Sequence, residues 1–171
     1  NAGRVTFKEY AEQWQAAQVH RPNTAAAVDS ALRLWAFPAF GDRAIGTIRR
    51  SDVQALVASL AQPTDKFPNG RKASYVRTVF QHVRAVFRAA ELDRVIASSP
   101  CQRVALPKVE RNLVQPLETN VVQALENAMP ERLAAMVTLM ASTGLRPGEA
   151  AGLKVGDVDF LRRQMHVRRQ L

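Results

Sequence analysis

Apolar residues recur at helical spacing along most of the chain, and the sequence therefore predicts a mainly α-helical protein. The first helix is expected near 6–18, where Thr6 and Glu9 match a capping box. Its apolar face is formed by Phe7, Tyr10, Ala11, Trp14 and Ala17. The longest periodic stretch runs from about 73 to 91 and predicts a helix with a separate apolar arc. That arc consists of Val76, Val79, Phe80, Val83, Phe87 and Ala90.

A second helix is expected near 24–36, with Asn23 as its cap. Its apolar face would contain Val28, Ala31, Leu32 and Trp35. Pro38 and Gly41 follow at the point where the periodicity ends, and both residues are typical helix terminators. We therefore expect this helix to stop before Pro38.

A third helix is expected to begin at a cap formed by Ser51 or Asp52 and to continue to about Leu60. Residues 62–72 are rich in turn formers and charges, and this composition predicts a mobile loop. After the long helix, a short helical turn is expected before Ser98-Ser99-Pro100. The first part of the chain is thus predicted to be a four-helix unit.

The remaining sixty or so residues look different, because helices there are followed by an alternating segment. The segment Ala105–Pro116 contains prolines and charges, and it is the expected boundary. Two helices are predicted near 118–128 and 131–142, and a short one ends at about Leu153. Gln164–Arg169 is the one plausible strand. The predicted organisation is a helical domain over 1–104, a linker over 105–116, and the start of an α+β domain with a small sheet over 117–171.

The charge is distributed unevenly between the two parts. The chain has a net charge of +9, and residues 1–111 hold 17 basic and 9 acidic side chains against 7 and 6 in residues 112–171. An excess of this size favours a polyanionic partner bound by the first part, although a solvated basic surface would have the same composition.

Other features of the composition exclude several classes of protein. Cys101 is the only cysteine, so an internal disulfide and a zinc–cysteine cluster are excluded. No apolar run reaches the length of a membrane span and no secretory leader is recognisable, so a cytoplasmic protein without membrane contact is expected. No nucleotide-binding loop or metal-ligand set is present, so we expect no cofactor. Because the sequence starts with Asn1-Ala2 rather than Met, we expect a fragment.

Basic side chains form a stripe on the long helix. Arg77, Arg84 and Arg88 lie within roughly 40° of one another at about 100° per residue, on a side distinct from the apolar arc. Arg71 and Lys72 extend this charge at the start of the helix. Arg21 and Arg33 bracket the second helix, and Thr24, Ser74 and Gln81 are candidates for contacts with base edges. The stripe is typical of contact with the DNA backbone, and a solvated basic face is the alternative.

A single arginine lies in the short gap between two predicted helices near the end of the chain. Gly144 is suited to end the first helix in the left-handed conformation, and Pro147 is suited to begin the second. Arg146 would then lie at a helix start, where a guanidinium beside unpaired backbone N–H groups can receive a phosphate. A helix–turn–helix corner with a solvated arginine is equally compatible with this geometry.

The same stretch, T-G-L-R-x-G-E-x-x-x-L-x-x-x-D-V-D over 143–159, resembles the first-arginine motif of tyrosine recombinases, the phage integrase family. The first part is similar to the core-binding, SAM-like domain of integrases at Arg21-Pro22-Asn23-Thr24 and at Phe37-Pro38-Ala39-Phe40-Gly41. It is also similar at Ile48 before Ser51-Asp52-Val53. The resemblance implies that Arg146 binds the scissile phosphate and that Glu149 orients it.

Members of that family cleave DNA with a tyrosine that forms a 3′-phosphotyrosyl bond, assisted by a lysine and a His-x-x-Arg motif. These follow the first arginine in the family, and we do not assign them here. Tyr10 and Tyr75 precede it, Lys154 comes too early, and His166-x-x-Arg169 lies in the expected strand. The resemblance therefore implies a fragment that binds duplex DNA but does not cleave it, whose full-length form acts with other protomers.

Two interpretations from other classes remain open. The chain could be a stand-alone helical DNA-binding regulator in which the arginine corner is only a turn. It could also be a protein-interaction fragment whose charge serves solubility. Binding to oligonucleotides separates the last interpretation from the others.

Overall fold

The helices form two separate units, Asn1–Arg111 and Asn112–Leu171. The structure is a computed structural model that describes residues 4–110 and 115–171. The predicted linker over 105–116 therefore lies partly outside the described residues. Each unit is described by itself below.

The first unit is helical along most of its length. Its elements are α1 (Phe7–Ala16), α2 (Pro22–Ala31), a π-helical turn (Leu32–Ala36), α3 (Phe37–Phe40), a 3₁₀ turn (Ile45–Thr47), α4 (Arg50–Ala61) and α5 (Ala73–Leu92). Thr6 caps α1 and Glu9 reaches back to the backbone N–H of Thr6, as the capping-box pattern predicted.

Helix α5 provides the centre of the core of this unit. Its predicted apolar arc is buried, and Val86 adds to it. The ring of Phe87 lies 5.0 Å from that of Phe7 and 6.1 Å from that of Phe40, measured between centroids. Aromatic side chains bury a large area each, so this cluster joins α1, α3 and α5.

The second helix differs from the prediction at both ends. It begins at Pro22 with Arg21 at the cap, so Asn23 is not the cap. The expected stop at Pro38 was wrong, because the helical path continues through the π-helical turn into α3. The N–H of Phe37 donates to the carbonyl of Leu32 in this turn. Pro38 then falls in the first turn of α3, where a missing N–H costs little.

The start of α4 also differs from the prediction. Arg49 is the N-cap, not Ser51 or Asp52. The carboxylate of Asp52 instead accepts the backbone N–H of Arg49 at 2.7 Å from the third helical position. It also pairs with Arg43 at 3.0 Å. An acidic residue is favoured in the first turn for the same electrostatic reason that favours it at the cap.

The segments on either side of α5 are built from turns. Residues 62–72, predicted as a mobile loop, contain an antiparallel bridge between Thr64 and Phe67. The loop then returns to α4 through the N–H of Arg71, which donates to the carbonyl of Leu60 at 3.4 Å. After α5, the expected helical turn is wrong, since residues 93–98 form turns and bends with Arg94 at a φ of 57°.

The second unit contains three helices and a two-stranded sheet within its described residues. These are α6 (Thr119–Ala128), α7 (Glu131–Thr143), α8 (Pro147–Ala151), a 3₁₀ turn (Val155–Asp157), β1 (Val158–Asp159) and β2 (Gln164–Met165). The strands are antiparallel, with Val158 opposite Met165. The predicted strand over Gln164–Arg169 is therefore shorter than expected.

The described helices contain none that is long and apolar enough to cross a membrane. Among the same residues, no cluster of three or more His, Cys, Asp or Glu side chains is placed to hold a metal ion.

Candidate nucleic-acid interface and arginine site

Helix α5 has basic side chains on one side and buried apolar side chains on another. Arg77, Arg84 and Arg88 are exposed, as is Gln81, whereas the apolar arc on the other side is buried. The 3.6-residue helical period places these groups on different sides of one helix. The unit therefore presents a basic edge on a helix that its own core holds in place.

Arg77 has a partner that the sequence did not indicate. Its Nε donates to the carbonyl of Pro107 at 2.9 Å. The same stretch is held on α4, because the side chain of Gln54 exchanges two hydrogen bonds with Ala105, at 2.8 and 3.1 Å. One of the five N–H donors of Arg77 is thus used within the unit, and the others remain for a further partner.

The candidates near α2 lie at its start and at its end. Arg21 is the exposed N-cap and Thr24 is exposed in the first turn. Arg33 lies in the π-helical turn, 3.8 Å from Asp29, and both side chains are at least half exposed. Such an exposed pair contributes little, so Arg33 can exchange this partner for another anion.

Arg71 lies among aromatic rings before the start of α5. Its guanidinium carbon is 4.3 Å from the ring centroid of Trp35, 4.2 Å from that of Phe67 and 5.4 Å from that of Tyr75. Lys72 follows as the exposed N-cap of α5. Sequence reasoning nominated the two basic residues but missed the rings, and Trp35 was assigned to an apolar face. The aromatic residues are separated by up to forty positions, so no local pattern joins them.

Arg146 lies between α7 and α8, as predicted. Gly144 ends α7 in the left-handed conformation with a φ of 72°, and Pro147 is the first residue of α8. The side chain of Arg146 is 77% exposed, and its Nη1 lies 3.0 Å from Oε1 of Glu149. The guanidinium is therefore accessible and is oriented by one carboxylate oxygen.

Glu149 uses its second oxygen as a helix cap. Oε2 accepts the backbone N–H of Arg146 at 2.9 Å. This hydrogen bond, followed by the one from the guanidinium, holds the pKa of Glu149 below its ordinary value. Glu149 is thus ionised at neutral pH and already occupies one of the N–H groups that an anion would use at this short helix. The outer edge of the Arg146 guanidinium is left exposed.

The His-x-x-Arg sequence at 166–169 has a structural role. Asp157 is buried with 3% of its surface exposed, and its carboxylate lies 3.1 Å from Nη1 of Arg169 and 3.9 Å from Nε of Arg168. The backbone N–H of His166 donates to the carbonyl of Asp157 at 2.8 Å. These contacts tie the segment after β2 to the Asp-Val-Asp stretch.

The two tyrosines have partners inside the first unit. The Tyr10 hydroxyl donates to Asp93 at 2.5 Å, and burial followed by this carboxylate raises the pKa of Tyr10 well above its usual range. The Tyr75 oxygen accepts from Nε1 of Trp35 at 2.9 Å. Nucleophilic attack by a tyrosine requires a hydroxyl that readily loses its proton, and Tyr10 is the opposite case.

Both units match known families. Residues 112–171 match the phage integrase family, and residues 6–61 match the N-terminal SAM-like domain of phage integrases. The integrase of Mycobacterium phage D29 is 24% identical over 157 residues, which are 92% of this chain and 40% of that protein. The putative prophage phiRv2 integrase of Mycobacterium tuberculosis strain H37Rv is 27% identical over 164 residues, 95% of this chain and 42% of that integrase.

Solved structures agree on the fold. A structure of the Tn1549 transposon integrase in complex with circular intermediate DNA is 20% identical, with a TM-score of 0.79 over 97% of this chain and 55% of that one. A structure of the same integrase with transposon right end DNA gives a TM-score of 0.78 at 20% identity, and 53% of its chain is covered. The chain thus spans less than half the length of the curated relatives named above and about half of these structures. With both units matched, the chain belongs to the phage integrase family of tyrosine recombinases.

Proposed function

We propose that this chain is the DNA-binding part of a site-specific recombinase together with the beginning of its catalytic domain. The helical domain would cover 1–104, the linker 105–116, and the catalytic portion 117–171. Together with other protomers, the full-length protein would join and separate duplexes through a 3′-phosphotyrosyl intermediate. The observation that carries the proposal is the exposed basic edge of α5 in the first unit, whose residues 6–61 match the integrase SAM-like domain.

In this proposal, the first unit grips the DNA backbone. The arginines of α5, with Arg21, Arg33, Arg71 and Lys72, neutralise phosphates, while Thr24 and Gln81 are placed on exposed helical positions that suit polar contacts with bases. The relatives solved with DNA support a duplex as the partner.

The second unit would contribute one member of a phosphate site. Arg146 binds a nonbridging oxygen of the scissile phosphate, and Glu149 holds the guanidinium in place. Cleavage needs a nucleophile with an accessible hydroxyl, and the two tyrosines of this sequence are engaged with Asp93 and Trp35. We therefore expect binding without covalent capture.

Binding is tested by titrating the chain against duplex DNA at several salt concentrations. Each phosphate neutralised contributes about −0.9 to the slope of log affinity against log salt on B-DNA, so the double variant Arg84→Ala/Arg88→Ala should have a slope less negative by about 1.8. Arg132→Ala, the same kind of substitution at one exposed position of α7, removes a single positive charge and should leave the slope unchanged. A slope near zero for the unmodified chain would refute DNA binding.

Catalytic inactivity is tested separately with a nicked suicide substrate. The chain should give no covalent protein–DNA complex on a denaturing gel, even at saturating concentrations. A trapped complex that disappears in Tyr75→Phe or Tyr10→Phe would contradict the proposal and identify the nucleophile.

A further inference from the structure

The aromatic cradle around Arg71, formed by Trp35, Phe67 and Tyr75, brings together three separate elements. Trp35 lies in the π-helical turn, Phe67 in the loop after α4, and Tyr75 in the first turn of α5. The hydrogen bond from Trp35 to the Tyr75 hydroxyl fixes two of the rings relative to each other. π-Helical turns are rare and often occur at functional sites, which suits this placement.

The loop is shaped so that Arg71 reaches the cradle. Thr64 and Phe67 exchange two backbone hydrogen bonds of 2.9 Å, and the N–H of Gly70 donates to the carbonyl of Phe67 at 2.9 Å. Gly70 has a φ of 70°, and a Cβ there would lie 2.1 Å from the carbonyl oxygen of Ala61. Only glycine fits this close passage against α4, which sets the direction in which Arg71 leaves the loop.

The cradle leaves the hydrogen-bonding edge of Arg71 unused. Cation–π contacts engage the faces of the guanidinium, whereas its five N–H groups point outward in its plane. Within residues 4–110 and 115–171, the Arg71 side chain forms no hydrogen bond and no ion pair. The side chain is half-buried, so an ordered, charged donor edge remains for a partner from outside.

The surroundings favour an anion as that partner. Lys72 adjoins Arg71 in sequence and Lys66 lies in the same loop, where Asp65 is the one acidic side chain. A planar fork of N–H donors matches two oxygens of a phosphate. Because the rings already restrict the guanidinium, little further side-chain entropy is lost when the phosphate binds.

We propose that Arg71 is a preformed clamp for one backbone phosphate of bound duplex DNA, and that Trp35, Phe67 and Tyr75 are its positioning residues. This inference rests on the proposed function, because the phosphate belongs to the duplex that the first unit binds. It goes beyond that function by assigning a role to the loop after α4 and to three rings that touch no DNA themselves.

The first test compares a substitution of Arg71 that keeps its positive charge with a substitution that removes one of the rings. Arg71→Lys keeps one positive charge but loses the planar fork, and Trp35→Leu leaves Arg71 intact but removes one of its three supporting rings. Each should lower the affinity for duplex DNA by about three- to tenfold. Together they should lower it little more than either alone, because both disable one clamp. Arg132→Lys, the same change in the second unit, should alter affinity by less than about twofold.

The second test identifies the phosphate. In a set of duplexes, one phosphate at a time is replaced by a neutral methylphosphonate, and affinity is measured for the unmodified chain, Arg71→Gln and Trp35→Leu. At one position the methylphosphonate should lower the affinity of the unmodified chain but should not lower the affinity of Arg71→Gln any further. At the same position it should lower the affinity of Trp35→Leu by a smaller factor than that of the unmodified chain. A merely structural role for Trp35 would lower affinity equally at all positions.

The outcomes separate the two proposals. If the unmodified chain binds with a steep salt dependence but Arg71→Lys binds equally well, the clamp is refuted and DNA binding stands. The clamp is also refuted if, at every position, the losses caused by the methylphosphonate and by the amino-acid substitution are additive. If the unmodified chain shows no salt-dependent binding, both proposals fail. Should Trp35→Leu fail to fold by circular dichroism, Tyr75→Phe, which removes only the acceptor hydroxyl, should still weaken binding at the same phosphate.

Discussion

Both units are largely helical, but among the described residues only the first unit encloses an apolar core. All the buried apolar side chains among the described residues belong to the first unit. In the second unit, no residue of α6, α7 or α8 is buried, and Leu117 and Phe160 are 64% and 76% exposed. The buried side chain of the second unit is a carboxylate, that of Asp157. Helical periodicity therefore predicted the buried face of α5 but gave no sign that the apolar faces of α6 and α7 would stay exposed.

The second unit instead presents an apolar groove on α6, α7 and the start of α8. It is lined by Leu117, Val122, Leu125, Met129, Leu133, Met136, Val137, Met140, Ala141, Gly144, Leu145 and Pro147. Contiguous apolar surface of this kind is rare on a self-sufficient domain. We infer that the stability of the chain lies mainly in the first unit.

The largest expected contrast comes from truncating one apolar side chain in each unit. Phe87 is fully buried against Phe7 and Phe40, so Phe87→Ala should lower the free energy of unfolding by about 3–5 kcal/mol. Leu125 is 46% exposed in the groove, so Leu125→Ala should cost about 1 kcal/mol or less. Urea denaturation followed by circular dichroism measures both. Equal losses would show that the second unit has a closed core in solution.

A smaller contrast comes from two carboxylates with the same local geometry. Asp52 and Glu149 each occupy the third position of a helix, accept the N-cap backbone N–H and pair with an arginine at 3.0 Å. Arg43, the partner of Asp52, also donates to the carbonyl of Thr47, so this pair joins α4 to the preceding turn. Asp52→Ala should therefore lower the free energy of unfolding by about 1–2 kcal/mol. Glu149→Ala should lower it less than Asp52→Ala does, because its guanidinium partner is mostly exposed.

The stabilisation by Asp52 should depend on pH in a defined direction. The Arg43 guanidinium, and after it the N–H of Arg49, hold the pKa of Asp52 below its ordinary value of 3.8. A carboxylate whose pKa is lowered by folding stabilises the fold at pH values above its unfolded pKa. This stabilisation is lost as the pH falls through the folded pKa. The difference in unfolding free energy between the unmodified chain and Asp52→Ala should be constant at neutral pH and should shrink below about pH 4. A difference that persists at pH 2.5 would show that the carboxylate acts through packing rather than charge.

Much of this structure followed from local sequence, and the exceptions have physical causes. The capping box at Thr6, the left-handed Gly144 and the apolar arc of α5 depend on neighbours within about one turn, so their patterns sufficed. Pro38 was misjudged because a π-helical turn, which has no sequence signature, moved it into the first turn of a new helix.

The candidate functional residues were likewise predictable only where their contacts are local in the sequence. Local sequence placed Arg146 at the start of a helix, and the family resemblance implied its pairing with Glu149, three residues further on. The cradle of Arg71 and the bond from Arg77 to Pro107 join distant residues, so periodicity could not indicate them. The sequence indicated the positive charge of Arg71, which follows Gly70, but not its aromatic surroundings.

The smallest expected effect again belongs to the first unit, where His82 of α5 is half-buried near His20. Burial, and after it the charge of His20, lowers the pKa of His82 from its ordinary value of 6.5. The neutral form is then favoured in the folded state, so the free energy of unfolding should decrease as the pH falls through 6.5. His82→Gln should remove part of this decrease, by less than the loss expected for Asp52→Ala. Thermal unfolding at about pH 7.5 and about pH 5.5 measures it, because the midpoint of the unmodified chain should fall further than that of the variant. Equal shifts in the two proteins would assign the acid sensitivity to groups other than His82 and His20.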